Sequence, residues 1–239
     1  MERLIEVNGI SAGYGNRQVL WNVNLFVSEG ERVLLMGPNG SGKSTLLKVI
    51  VGVVKPYSGR VIFDGVDITK ISTSKRINMG INYLPQTRNI FPGLTVEENF
   101  HLACFYCEDK YFLERLNWIL GIFPFLKDRL SSRAGLLSGG QRQALGLGMA
   151  LMKKAKLLIV DEPTAGLSPK AASDILKGIE KAQDEEKFTI LMVEHNLRYL
   201  SGWFNRALIM REGRVILEES DTSKFLNRKL LESIFFDDV

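Results

Sequence analysis

Gly37-Pro38-Asn39-Gly40-Ser41-Gly42-Lys43-Ser44 lies between the apolar run Arg32-Val33-Leu34-Leu35-Met36 and Ser44-Thr45-Leu46-Leu47-Lys48-Val49-Ile50. The first flank is short and β-branched enough for a buried strand, and the second has helical character, so the glycines fall at a strand-to-helix turn. The eight residues satisfy G-x-x-x-x-G-K-[ST], a phosphate cradle. Glycines at 37, 40 and 42 let backbone N–H groups converge on an anion, and a helix starting near Lys43 adds partial positive charge where a phosphate would lie. Lys43 is placed to reach outer phosphates, and the Ser44 hydroxyl offers an oxygen to Mg²⁺, a hard cation that prefers oxygen ligands.

Length and composition agree with an enzyme-sized globular unit. At 239 residues, 45% hydrophobic and 24% charged, the chain has material for a sizeable core. Its net charge of +4 arises from 31 basic and 27 acidic residues without a long basic run, so a nucleic-acid or lipid partner is not implied. No apolar segment approaches the ~18 residues of a membrane span. The acidic, alternating start Met1-Glu2-Arg3-Leu4-Ile5-Glu6 is unlike a signal peptide, and the expected compartment is the cytosol. The only cysteines, Cys104 and Cys107, form one C-x-x-C without a second ligand pair. They are expected as two reduced thiols on a helix face.

In chain order, Leu4 to Ser11 and Gln18 to Val27 read as a hairpin around Gly13, Gly15 and Asn16. After the cradle and its helix, Pro56 to Gly59 reads as a turn before a strand from Arg60 to Asp64, and Gly80 to Leu84 as a further strand leading to Gln86. From about Thr87 to Met152 helical signals take over, with Thr95 and Glu98 spaced as a capping pair and Tyr111 to Leu120 at helical periodicity. This predicts an inserted α-helical subdomain at about 87–152 within a single domain spanning 1–239. Strands return at Lys156 to Asp161 and Phe188 to Val193 around a helix from about Pro169 to Gln183, a βαβ pattern. Ala207 to Met210 and Arg214 to Glu218 form a closing hairpin, followed by a short helical tail. The fold class is α/β.

Two further constellations carry chemistry. The apolar strand Leu157-Leu158-Ile159-Val160 delivers Asp161 and Glu162 at its carboxyl end, where α/β sheets present ligands. Asp161 suits Mg²⁺ held through water, and Glu162 is placed to orient and deprotonate an attacking water. Leu137-Ser138-Gly139-Gly140-Gln141 precedes a helix running to about Leu151, and it again exposes N–H groups to an anion.

With these three motifs in this order, the sequence resembles the ATP-binding subunit of ABC transporters over nearly its whole length. Gly37 to Ser44 matches the Walker A motif, Leu137 to Gln141 the signature, and Leu157 to Glu162 Walker B. The resemblance implies a P-loop NTPase core, RecA-like with a mixed sheet and flanking helices, plus an N-terminal antiparallel β region. It implies ATP and Mg²⁺ as ligands. Gly37, Pro38, Asn39, Gly40, Ser41, Gly42, Lys43, Ser44 and Thr45 would bind nucleotide with Asp161. Ser138, Gly139, Gly140 and Gln141 would cover nucleotide held by a second ATPase subunit, identical or different. Tyr14 would stack on adenine, Gln86 would sense Mg²⁺ and the transporter, and His195 would contact the γ-phosphate as the switch histidine. Partners would be transmembrane permease subunits, holding the chain at the cytoplasmic face of the membrane, with Phe91 and Leu94 in the docking surface.

Two positions depart from the family pattern: Ser168 stands where an aspartate usually follows Leu167, and Met149 stands where many members have arginine. Within the family, the run Tyr83 to Asn99, the stretch Ile122 to Arg129 ahead of Arg133-Ala134-Gly135, and Ala165-Gly166-Leu167 resemble the shorter ATPase of branched-chain amino acid importers. Lipopolysaccharide-export ATPases share several of these features. A soluble ABC ATPase would be expected to carry twin domains, a long coiled coil or a basic extension. A nucleotide-gated module without turnover would not need Lys43, Asp161, Glu162 and His195 together.

Overall fold

The computed structural model describes residues 2–194 and 202–220. Two antiparallel strands, β1 (Arg3–Tyr14) and β2 (Arg17–Ser28), form the expected hairpin, closing with Tyr14 opposite Arg17. Later strands β4 (Ser58–Phe63) and β5 (Val66–Asp67) join them in a four-stranded antiparallel sheet of order β2-β1-β4-β5. Strand β4 starts earlier than its apolar pattern suggests, because Ser58 still pairs with Ser11 of β1.

The second sheet holds the functional loops. It contains β3 (Arg32–Met36), β6 (Ile81–Leu84), β7 (Leu157–Asp161), β8 (Thr189–Val193), β9 (Arg206–Arg211) and β10 (Arg214–Glu219) in the order β10-β9-β3-β8-β7-β6. All neighbours run parallel except the edge pair β9–β10. Every residue of β7 and β8 is buried, as expected for strands covered on both faces. The pleat divides them between two cores. Leu34, Met36, Leu158, Val160, Ile190 and Met192 face one, and Val33, Leu35, Leu157, Ile159, Leu191 and Val193 face the other. Burying such a side chain stabilises the fold by roughly 1.5–3 kcal/mol, so the two-sided sheet is a rigid platform for the loops at its strand ends.

Helices α1 (Lys43–Val51) and α2 (Thr73–Asn78) lie on the side of the antiparallel sheet. The opposite side is covered by α3 (Val96–Ala103), α4 (Asp109–Ile122), α5 (Gly139–Leu151) and α6 (Pro169–Glu186), with 3-10 turns at Pro124–Arg129 and Ala134–Leu136. The Thr95–Glu98 capping box is present at α3: Thr95 Oγ1 accepts from the Glu98 amide at 3.1 Å, and Glu98 Oε2 accepts from the Thr95 amide at 2.7 Å. No helix among the described residues is long and apolar enough to cross a membrane.

Helix α2 carries a buried cation. Arg76, 2% exposed, donates to the Ile71, Val49, Ile50, Ile68 and Thr69 carbonyls at 2.6–3.0 Å. It ties the end of α1 to the loops around β5, and burial holds its pKa below the usual guanidinium value.

The cysteines differ from expectation. Helix α3 ends at Ala103, and the Cys107 amide bonds back to the Cys104 carbonyl at 2.8 Å. The chain turns there, bringing the Cα atoms of the two residues to 5.2 Å, and the sulfurs are joined in a disulfide. The expectation of two reduced thiols on a helix face, drawn from the compartment, is therefore corrected. The expected helical tail and His195 lie outside the described residues.

Candidate active site

The cradle forms where β3 runs into α1. Gly37 has φ 145°, and a Cβ there would sit 2.0 Å from the Met210 carbonyl oxygen on β9, so a side chain is sterically excluded. Gly42 occupies the N-cap of α1 at φ 102° and forms no side-chain cap. With no acidic residue in the first turn either, the N-terminal N–H groups of α1 present an uncompensated positive pole, which suits a phosphate. Ser41 Oγ is buried in this loop without a hydrogen-bond partner.

Lys43 is 5% exposed and folds back over the loop, its Nζ donating to the Gly37 and Pro38 carbonyls at 2.8 and 2.9 Å. Burial lowers its pKa, against the opposing pull of Glu162 and Asp161. The ammonium is thus held over the cradle by carbonyls that an anionic oxygen can replace.

Strand β7 brings Asp161 to the same place. Only 3% exposed, it accepts from Ser44 Oγ at 3.2 Å on Oδ1 and from the Tyr83 hydroxyl at 3.4 Å on Oδ2. Burial raises its pKa most, Glu162 adds to this, and the Ser44 and Tyr83 hydrogen bonds oppose it. Glu162, the next residue, has φ 48°, a left-handed conformation uncommon for glutamate. Its amide bonds to the Val193 carbonyl at 2.9 Å, and its Oε2 accepts from Gln86 Nε2 at 2.6 Å.

Lys43, Ser44, Gln86 and Glu162 border one cleft of about 580 Å³, with Tyr14, Arg17 and Val19 along its hairpin side and Asn39, Gly40 and Thr45 along its floor, and Asp161 lies behind Ser44. Tyr14 is 49% exposed at the hairpin end, offering a flat aromatic face at the rim. The donor set suits Mg²⁺: Ser44 and Asp161 oxygens are in mutual contact, and Gln86 borders the same cleft as Ser44, all sources of hard oxygen ligands. Among the described residues there is no cluster of three His, Cys, Asp or Glu side chains that could hold a metal ion.

The remaining predicted residues lie elsewhere. Ser138 caps α5, with Gln141 N donating to Ser138 Oγ at 3.3 Å and Ser138 N to Gln141 Oε1 at 3.0 Å. Gly139 opens on a second cavity of about 560 Å³, shared with Gln86, Arg142 and Gly166, and none of Ser138, Gly139, Gly140 and Gln141 borders the cradle cleft. Gly140 packs close to α6, where a Cβ would come within 2.7 Å of Ala171 Cβ. The structure also shows residues that sequence reasoning missed. Tyr83 touches Asp161, Arg17 and Val19 border the cleft, and buried Glu194 accepts from Thr164 Oγ1 at 2.7 Å beside the acidic strand end. Tyr83, three residues before Gln86, meets Asp161 through the pairing of β6 with β7, which the sequence does not announce.

A phosphate cradle at the end of the central parallel strand β3, with two acids at the end of β7 one strand beyond its neighbour β8, defines a P-loop ATPase of the ATP-binding cassette class. The family described as ABC transporter matches residues 20–165, and the chain belongs to it. It is 41% identical, over 90% of each chain, to the probable branched-chain amino acid transport ATP-binding protein LivF of Archaeoglobus fulgidus. It is 34% identical to the high-affinity branched-chain amino acid transport ATP-binding protein BraG of Pseudomonas aeruginosa, over 96% of this chain and 98% of that protein. Among solved structures it is similar to a nucleotide-free ATP-binding cassette from an ABC transporter, with TM-score 0.85 and 29% identity, covering 98% and 100% of the two chains. A dimeric cassette in a post-hydrolysis state bound to ADP and Pi gives TM-score 0.81 and 27% identity over 91% of this chain and 99% of that one. The chain is an ABC-type ATPase subunit that binds adenine nucleotide.

Proposed function

We propose that this chain hydrolyses MgATP in the cradle cleft to energise a permease importing branched-chain amino acids. The observation that carries the site assignment is the meeting of Lys43, Ser44 and the Gln86–Glu162 pair at one cleft, with Asp161 bonded to Ser44 behind it. The α1 N–H groups and Lys43 bind the phosphates, and Tyr14 stacks on the base. Ser44, Gln86 and Asp161 would hold Mg²⁺, which when bound would neutralise charge on the β- and γ-phosphates. Glu162 takes the proton of the attacking water as the γ-phosphoryl group departs, leaving ADP and phosphate. Glu162 accepts a hydrogen bond from Gln86 Nε2, which orients the proposed base, and Gln86 Oε1 would be an oxygen ligand for the metal. His195 is assigned to the γ-phosphate by its place in the sequence.

Gly139 borders a second cavity and none of the signature residues borders the cradle cleft, which supports a head-to-tail pair of ATPase subunits in which Ser138 to Gln141 of one cover nucleotide held by the other. Residues 1–239 form one cassette with the helical subdomain inserted at 87–152. Phe91, 53% exposed beside the Gln86 loop, and Leu94 dock a cytoplasmic element of the permease, holding the subunit at the membrane. The branched-chain amino acid assignment is supported by the two relatives that carry that name over nearly their full length.

Glu162→Gln tests the shared site, because it removes the base, worth roughly 10²–10⁴-fold in rate, and keeps the binding groups. Light scattering is expected to show an ATP-dependent dimer, with itself or a cognate ATPase, that Ser138→Arg abolishes. A dimer that ignores Ser138→Arg, or no dimer with either partner, refutes the arrangement. Stimulation of the assembled transporter's ATPase by leucine, isoleucine or valine, presented by a binding protein, tests the substrate.

A further inference from the structure

We propose that Tyr83 is a positioning residue for the metal site, fixing the Asp161 carboxylate so that one oxygen faces the Ser44 side and the other is held away from it. This deepens the reading of Asp161 given above and rests on it. Strand β6 pairs in parallel with β7, and Tyr83 stands opposite Ile159, two residues before Asp161. A tyrosine at that register can reach along the neighbouring strand to the carboxylate, and its hydroxyl lies 3.4 Å from Asp161 Oδ2. The other oxygen, Oδ1, accepts from Ser44 Oγ at 3.2 Å. Among the described residues no lysine or arginine bonds to this nearly buried carboxylate, so two hydroxyls, one at each oxygen, set its plane.

The two hydroxyls are not equivalent. Ser44 lies in the cradle and changes surroundings when nucleotide and metal arrive. Tyr83 sits on a central-sheet strand between buried Asn82 and Leu84, where arriving ligands do not displace it. Tyr83 also borders a cavity of about 290 Å³ with Pro85, Arg88 and Met149, none of which lines the cradle cleft. A partner that orients a ligand group in this way governs metal affinity more than nucleotide affinity.

Tyr83→Phe keeps the ring and its packing while deleting the hydroxyl. Binding of a fluorescent ATP analogue to the full chain is followed in EDTA and across buffered Mg²⁺ concentrations, beside the parental protein and Asp161→Asn. Tyr83→Phe is expected to raise the Mg²⁺ concentration at half-saturation by roughly three- to tenfold, a modest shift for a long hydrogen bond, with metal-free affinity and melting temperature at parental values. Asp161→Asn is expected to shift it further. If Asp161→Asn shifts the Mg²⁺ requirement and Tyr83→Phe does not, the tyrosine is only packing and the proposal is overturned. Equal loss of metal-free binding in Tyr83→Phe overturns it as well. If Asp161→Asn has no effect on the Mg²⁺ requirement, the reading of Asp161 falls and takes Tyr83 with it.

Discussion

Replacing Lys43 with alanine removes the one ammonium folded over the cradle, and the structure sets the size of the loss. A unit charge about 4 Å from a phosphate charge, at the effective dielectric of a partly open cleft, contributes about 4 kcal/mol. That gain is not all available to nucleotide. In the free protein Nζ already donates to the Gly37 and Pro38 carbonyls, charge-assisted bonds worth about 1.5 kcal/mol each, which are shared or given up when phosphate arrives. The net contribution is about 2–3 kcal/mol, so Lys43→Ala is expected to weaken ATP binding roughly 30- to 150-fold. The fold should tolerate the change, because the relief of a buried charge offsets the two carbonyls left without that donor. The sign of the pKa shift extends the prediction. A lysine whose folded pKa is depressed carries its charge at a cost below that pKa, and the cost fades as pH rises toward 10.5. Any stability gained by the alanine variant should therefore be largest near neutral pH and shrink under alkaline conditions. Titration calorimetry with ATP, paired with thermal melts across pH, reads both effects. A folded variant that binds ATP within threefold of the parental protein would refute the placement of the phosphates beneath Lys43.

Asp161→Asn should raise the melting temperature of the metal-free protein in EDTA at neutral pH, by about 2–4 °C per kcal/mol for a chain of this size. The folded pKa of Asp161 lies above 3.8, so its ionised form costs stability above the folded pKa, and the cost disappears as pH falls through that pKa toward 3.8. The gain from asparagine must shrink with acid, and a difference that grows at low pH would contradict the burial argument. Ser168 caps α6 by accepting from the Ala171 amide at 3.4 Å ahead of Pro169, and the first turn of that helix has no acid. Ser168→Ala should cost about 1 kcal/mol in urea unfolding, whereas Ser168→Asp should match or exceed the parental protein; equal losses in both would show that the cap is idle.

Much of the site was legible because its parts are local. The cradle and the acidic strand end each lie within one short run of residues, and the turn, helix start and buried strand around them are dictated by those same residues. Thr95 and Glu98 announced their helix for the same reason. What escaped depends on neighbours distant in sequence. Thr73–Asn78 is a six-residue helix without an apolar stripe, and Arg76 within it reads as a surface charge. Its burial rests on carbonyls from residues 49–50 and 68–71, which no window around Arg76 contains. Tyr83 was read as part of a strand and of a family-like run, not as a partner of Asp161, because the two meet through the pairing of β6 with β7. For Cys104 and Cys107 the compartment argument addressed redox environment, whereas the turn after Ala103 decides whether the sulfurs meet.

The guanidinium of Arg76 has a consequence for the far end of the helix it closes. Helix α1 has nine residues, so its carboxyl pole lies only about 14 Å behind the N–H groups that face the cradle. Left bare, the half charge of that rear pole would repel each unit of anionic charge at the front by about 0.6 kcal/mol at an effective dielectric near 20. Arg76 sits on the Val49 and Ile50 carbonyls, where that pole is concentrated, and puts a full positive charge in its place. A short helix thereby acts electrically as a longer one, with its opposing terminal removed. The attraction the cradle exerts on anions is set partly by a residue on the other side of the helix that never approaches them.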